Sequence, residues 1–125
     1  MLKHKTIAFL GAGNMAEAMI SGTVQSGKIP SEQIIVSNRS NQGRLQEMKA
    51  KYDVTALTKD DLPFNEIDIR ILAMKPKDID KALDSINHLV RNDTVIMSVL
   101  AGITTSHMEE QLPAGQPVIR VMPNT

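Results

Sequence analysis

The sequence predicts an α/β fold: one domain built as a doubly wound parallel sheet in three layers. Three observations carry that expectation. Short apolar runs alternate with longer stretches of helical periodicity along the whole chain. The apolar runs lack polar alternation, as strands covered on both faces do. A glycine cluster, Gly11-Ala12-Gly13, separates the first apolar run from the first helical stretch. Strands that alternate with helices require right-handed crossovers and hence a parallel sheet.

Thr6-Ile7-Ala8-Phe9-Leu10 is the first predicted strand. From Asn14 to Ser26, Met15, Met19, Ile20 and Val24 recur at helical spacing. Gly27 marks the helix stop, and Pro30 follows it. Ile34-Ile35-Val36 is the second strand, and Gln42 to Lys51 a helix with Leu45 and Met48 inward. Asp53 to Ala56 makes a short third strand, and Asp60 to Phe64 a turn or single helical turn broken by Pro63. Ile67 to Met74 is the fourth strand, closed by Lys75-Pro76. Asp78 to Val90 is a helix that places Ile79, Ala82, Leu83, Ile86 and Leu89 on one face. Val95 to Leu100 is the fifth strand, Thr104 to Leu112 a helix and Pro117 to Met122 the sixth strand. Asp68 and Arg70 interrupt the fourth run. Both are expected near its start or on a less covered face, because a buried charge without partners is costly.

At 125 residues, 42% hydrophobic and 22% charged, the composition suits one globular domain. Fourteen basic residues balance fourteen acidic ones, so no net field draws in nucleic acid or an anionic membrane. The three aromatic residues, Phe9, Tyr52 and Phe64, make a base-stacking platform a poor expectation. With no cysteine, disulfides, thiol catalysis and Cys-based metal sites are excluded. The start MLKHKTIAFLGAG runs straight into glycine and does not read as a secretory signal. No stretch approaches the roughly 18 apolar residues of a membrane span. The expectation is a cytoplasmic protein with neither nucleic-acid nor membrane partners.

Gly11, Ala12, Gly13, Asn14, Met15 and Ala16 form a G-x-G-x-x-A pattern between strand and helix, the dinucleotide fingerprint of Rossmann-type folds. The first glycine permits a tight turn. The second lets backbone approach a diphosphate, and Ala16 allows close helix–strand packing. The helix start then offers amides and a positive dipole end to the anion. The alternative is a glycine turn with a structural role alone.

Cofactor choice is read after the second strand. NAD-binding folds carry an Asp or Glu roughly 20 residues on, for the ribose 2′-hydroxyl. Here the chain reads Ser37-Asn38-Arg39-Ser40, without a carboxylate. An arginine fork pairs with a 2′-phosphate and can lie on adenine, and Ser37, Asn38 and Ser40 can add hydrogen bonds. NADP(H) is therefore expected over NAD(H); a solvated loop arginine is the bland alternative.

Ligands of open α/β sheets bind beyond the carboxyl ends of the strands. Ala73, Met74, Lys75 and Pro76 after the fourth strand, and Ala101 and Gly102 after the fifth, should face the same crevice as the glycine motif. Small residues suit contact with a flat ring or ribose. Lys75 reads equally as a cofactor or substrate contact and as a plain surface lysine. His4, His88 and His107 share no metal-ligand spacing and read as surface histidines. No G-x-S-x-G elbow occurs. The methionines read as core filler apart from Met15 and Met74. No catalytic residue and no metal ligand is assigned.

Five blocks in order carry a resemblance: residues 7–16 (IAFLGAGNMA), 37–39 (SNR), 72–76 (LAMKP), 99–103 (VLAGI) and 120–125 (RVMPNT). Together the chain resembles the N-terminal half of pyrroline-5-carboxylate reductase, the last enzyme of proline biosynthesis. The resemblance covers the whole chain. It implies NAD(P)H, usually NADPH, as the donor that reduces the C=N bond of 1-pyrroline-5-carboxylate to proline. It also implies cofactor contacts at Gly11 to Met15, Asn38, Arg39, Ala73 to Pro76, Ala101 and Gly102. The family often has an asparagine before its fourth strand, where this chain reads Thr58-Lys59-Asp60-Asp61. The family continues past M-P-N-T into a helical domain that dimerises, completes the substrate pocket and supplies a hydroxyl donor. That domain is expected to be absent from this chain. The chain is then expected to bind NADPH with little turnover, to self-associate modestly through bare apolar surface near Val118 to Met122, and to belong to a homo-oligomer in the full-length enzyme. The alternatives are another NADP-dependent Rossmann reductase and an NADP(H)-sensing module without chemistry.

Overall fold

The computed structural model describes residues 5–27, 29–38, 41–58, 66–86, 93–99, 105–112 and 114–120. Strand β1 (Ile7–Leu10) is buried throughout and leads through the glycines into α1 (Asn14–Ser26). Gly27 ends α1 in the left-handed region, φ 70°, and its N–H donates to the Val24 carbonyl. A 3-10 turn over Ser31–Gln33 precedes β2 (Ile34–Ser37). Helix α2 (Gln42–Tyr52) starts at Asn41, whose side chain accepts from the Arg44 N–H at 3.0 Å, a standard N-cap. Asp53 ends it at φ 59°. The order then runs β3 (Thr55–Ala56), β4 (Ile69–Leu72), a 3-10 turn at Pro76–Asp78, α3 (Ile79–Ile86), β5 (Val95–Ser98), α4 (Thr105–Glu109) and β6 (Val118–Arg120).

All six strands are parallel, in the order β3-β2-β1-β4-β5-β6. The order reverses direction between β1 and β4, the switch point of a doubly wound sheet. Register aligns Ser37, Leu10, Leu72 and Ser98 in one row across β2, β1, β4 and β5. That row ends the sheet, so residues 38, 11, 73 and 99 emerge together along its carboxyl edge.

Both faces are covered. Ile7, Phe9, Ile34, Val36 and Ile71 pack with Ala16 and Ile20 of α1 and Leu45 and Met48 of α2. Burying a side chain such as Phe9 contributes about 2 kcal/mol. On the other face Leu10, Leu72 and Ile96 pack with Ile79 and Leu83 of α3 and with Met108 and Leu112. The three-layer expectation holds, and the uninterrupted apolar runs of β1 and β2 have the reason inferred for them, whereas Ile119 on the edge strand β6 is exposed.

The two charges of the fourth run separate. Asp68 stands just ahead of β4, half-buried, and its carboxylate accepts from the Thr6 N–H at 2.8 Å. Arg70 lies near the start of β4 but is 1% exposed, so the less covered face expected for it does not exist. Its register neighbour on β1 is the small, fully buried Ala8. Burial pulls its guanidinium down to about 10. Two further buried polar residues tie strand starts together: the Thr94 hydroxyl donates to the Ile67 carbonyl at 3.0 Å, and the Gln116 amide donates to the Thr94 carbonyl.

The turn expected over residues 60–64 lies outside the described residues, as do the last residues of the third helix (87–90) and the end of the sixth strand (121 and 122). The fourth strand is shorter than its apolar run, and Ile67 packs in the core just ahead of it. The last helix ends at Glu109, and residues 110–112 continue as turn.

Candidate functional site

Gly11 leaves β1 with φ 115°, a conformation reserved in practice for glycine. A Cβ there would lie 2.7 Å from the Ala73 carbonyl oxygen and 2.9 Å from the Met74 nitrogen. The Gly11 N–H donates to the Ser37 carbonyl at 2.6 Å, and the Ala73 N–H to the Leu10 carbonyl at 2.9 Å. The first glycine therefore lets the turn pass against the end of β4 at the switch point.

Gly13 does a different job. It is the N-cap of α1, at φ −81° and ψ −169°, and offers no side-chain cap. A Cβ on it would meet nothing within 4 Å. The turn thus opens onto free space where the first-turn amides of a helix have no intrahelical acceptors. Asn14 and Met15 are exposed beside it, Met15 by 43%. Such a cradle can receive an anion: backbone donors and a positive helix end, with no side chain in the way.

On the β4 side, Ala73 is buried, Met74 half-buried and Lys75 exposed, and Pro76 opens the 3-10 turn. The structure therefore brings Gly11, Ala12, Gly13, Asn14, Met15, Ala73, Met74 and Lys75 to one edge. Asn38 follows the end of β2 in the same row, but its side chain is committed locally. Its amide donates to the Asn41 carbonyl at 2.8 Å and its oxygen accepts from the Asn41 N–H at 3.2 Å. Ser37 is 1% exposed, with its hydroxyl buried and without a partner, so its carbonyl rather than its side chain serves the edge. Arg39, Ser40, Ala101 and Gly102 lie outside the described residues. His107 is a surface residue, its ring nitrogen 2.7 Å from Asp80 Oδ1, whereas His4 and His88 lie outside the described residues.

Beneath the glycine turn sits a cluster that sequence reading missed. Arg44 of α2 donates through Nε to the Ala12 carbonyl at 2.6 Å, and through its terminal nitrogens to Glu17 at 2.6 Å and Glu47 at 2.7 Å. Lys51 Nζ and the Tyr52 hydroxyl donate to the other Glu17 oxygen at 2.9 and 2.6 Å. The Tyr52, Lys51 and Arg44 donors hold the Glu17 carboxyl down at about 2. One signal was available: Arg44 puts a cation in the first turn of α2, against the helix dipole, which calls for a tertiary partner.

Residues 6–102 match the model of the family described as NADP oxidoreductase, coenzyme F420-dependent. The chain belongs to that family. Among its relatives, pyrroline-5-carboxylate reductase 1 of Bacillus subtilis is 50% identical over 122 residues, covering 98% of this chain and 41% of the relative. Pyrroline-5-carboxylate reductase 2 of the same organism is 46% identical over 121 residues, covering 97% of this chain and 43% of the relative. The chain thus spans under half the length of the curated reductases it matches. A solved pyrroline-5-carboxylate reductase from Coxiella burnetii superimposes with TM-score 0.84 at 27% identity, over 98% of this chain and 45% of that one. The NADP-bound Plasmodium falciparum pyrroline carboxylate reductase superimposes with TM-score 0.83 at 19% identity, over 99% of this chain and 44% of that one, and shows the shared fold. For this member of the NADP oxidoreductase family, the matched region takes in both the glycine turn and the ends of β4 and β5.

Proposed function

We propose that this chain is the dinucleotide-binding part of a pyrroline-5-carboxylate reductase, holding NADP(H) along the carboxyl edge of β1, β2 and β4. The observation that carries the reading is the side-chain-free space at Gly13, at the uncapped start of α1 and beside the switch point. The identity to the Bacillus reductases supports the reaction: reduction of the C=N bond of 1-pyrroline-5-carboxylate to L-proline.

When bound, the reduced nicotinamide supplies the hydride. The residues of this chain bind and orient it. The amides of Asn14, Met15 and Ala16 would hold the diphosphate, with Gly11 and Ala12 shaping the turn. Arg39 and Ser40, between the bonded pair Asn38 and Asn41, would take the 2′-phosphate. Ala73, Met74, Lys75, Pro76, Ala101 and Gly102 would line the nicotinamide side. Residues 1–125 form one domain in this reading. In this reading a helical domain that binds substrate and joins subunits into a homo-oligomer would correspond to the part of the relatives that the chain does not span. The setting is cytoplasmic.

A fluorescence titration with NADPH and NADH tests the reading. NADPH is expected to bind at least about tenfold more tightly, the value of one charge-assisted pair. Equal affinities would remove the preference for NADP, and no binding of either would remove the assignment.

A further inference from the structure

We propose that Arg44 is a positioning residue for the anion cradle, a role that rests on the dinucleotide reading above. Its guanidinium makes three contacts at once, to the Ala12 carbonyl, Glu17 and Glu47. The first acts on backbone direction. The Ala12 methyl is already in the core, 7% exposed, so the carbonyl contact pins the residue from its other side. In a planar trans peptide the carbonyl and the following N–H point opposite ways. Holding the Ala12 oxygen against α2 therefore sets the direction of the Gly13 N–H and keeps that oxygen from being presented to a phosphate.

The second contact acts on charge. Glu17 stands in the first turn of α1, where a carboxylate suits the helix dipole but repels an incoming diphosphate. Its charge is met by Arg44 and Lys51 and by the Tyr52 hydroxyl. In the cluster two cations face two carboxylates, Glu17 and Glu47, so it carries no net charge toward the cradle. The side chains of Arg44 and Glu17 are only 18% and 19% exposed, which limits screening by solvent. With each of its three nitrogens already donating to a partner, Arg44 supports the site from below, and the 2′-phosphate is left to another group.

The test compares three ligands against wild type, Arg44→Met, Arg44→Lys and Arg44→Met/Glu17→Gln by calorimetry: NADPH, ADP and adenosine 2′-phosphate. Arg44→Met is expected to weaken NADPH and ADP by about tenfold, the effect of losing a charge-assisted contact behind the diphosphate. Adenosine 2′-phosphate, which has no diphosphate, should keep its affinity. Arg44→Lys should recover part of the loss by restoring the charge. The double variant should recover part of it by removing the carboxylate that has lost its arginine partner while keeping Lys51 and Tyr52. Unchanged ADP affinity in Arg44→Met overturns the proposal, and so does an equal loss for all three ligands, which marks a merely structural residue. If Arg44→Met does not fold, Arg44→Lys decides by the same ratio of ADP to adenosine 2′-phosphate affinity. Failure of wild type to bind NADPH or ADP overturns the dinucleotide reading instead.

Discussion

Gly11 and Ala73 meet backbone to backbone where β1 and β4 end, so closely that a Cβ on Gly11 would lie 2.7 Å from the Ala73 oxygen. The contact lies at the switch point of the sheet and sets the floor of the crevice.

Gly11→Ala should therefore be costly twice over, by clash with a backbone that cannot rotate away and by strain at φ 115°. We expect a loss of about 3 kcal/mol or more in urea unfolding. A midpoint matching wild type would show that the turn relaxes more freely than its packing implies.

Gly13→Ser should split stability from binding. Extended backbone at an N-cap and open space suit serine, whose oxygen can cap the first-turn amides. Stability should hold or rise, by about a few tenths of a kcal/mol. Nucleotide affinity should fall, because the hydroxyl then occupies the donors proposed for the diphosphate. Unimpaired NADPH binding would place the diphosphate elsewhere.

Arg39→Asp should reverse the cofactor preference. The substitution replaces a cation by the carboxylate that NAD-binding folds use for the 2′-hydroxyl. Parallel titrations should show NADPH weakened by tenfold or more and NADH spared. An identical loss for both nucleotides would deny the 2′-phosphate contact.

Acid should act through Glu17. Its carboxyl is held at about 2 in the folded chain against an ordinary 4.5. A depressed carboxyl contributes stability above its unfolded value, and that contribution is lost as pH falls from about 4.5 through 2. Urea midpoints over that window should drop more steeply for wild type than for Glu17→Gln. Parallel curves would mean that the Arg44, Lys51 and Tyr52 contacts add nothing in solution.

Much of this was open to reading along the chain. The fingerprint at residues 11–16 and the missing carboxylate after β2 are local patterns, so neighbours in sequence express them. Gly27 and Asn41 cap their helices through their own backbone and side chain, and they too could be read in place. Arg44 and Arg70 could not. Arg44 bonds Glu17 across 27 residues, and Arg70 is buried in a strand whose register neighbour, Ala8, lies 62 residues away.

Element order, strand covering and the glycine turn were thus written in short-range periodicity and glycine placement. Strand order, the common edge formed by residues 38, 11, 73 and 99, the burial of Arg70 and the brace beneath the turn came from assembly. The reason is physical: conformational preference and amphipathic spacing act over a few residues, whereas burial, register and ion pairing depend on which distant segments pack side by side.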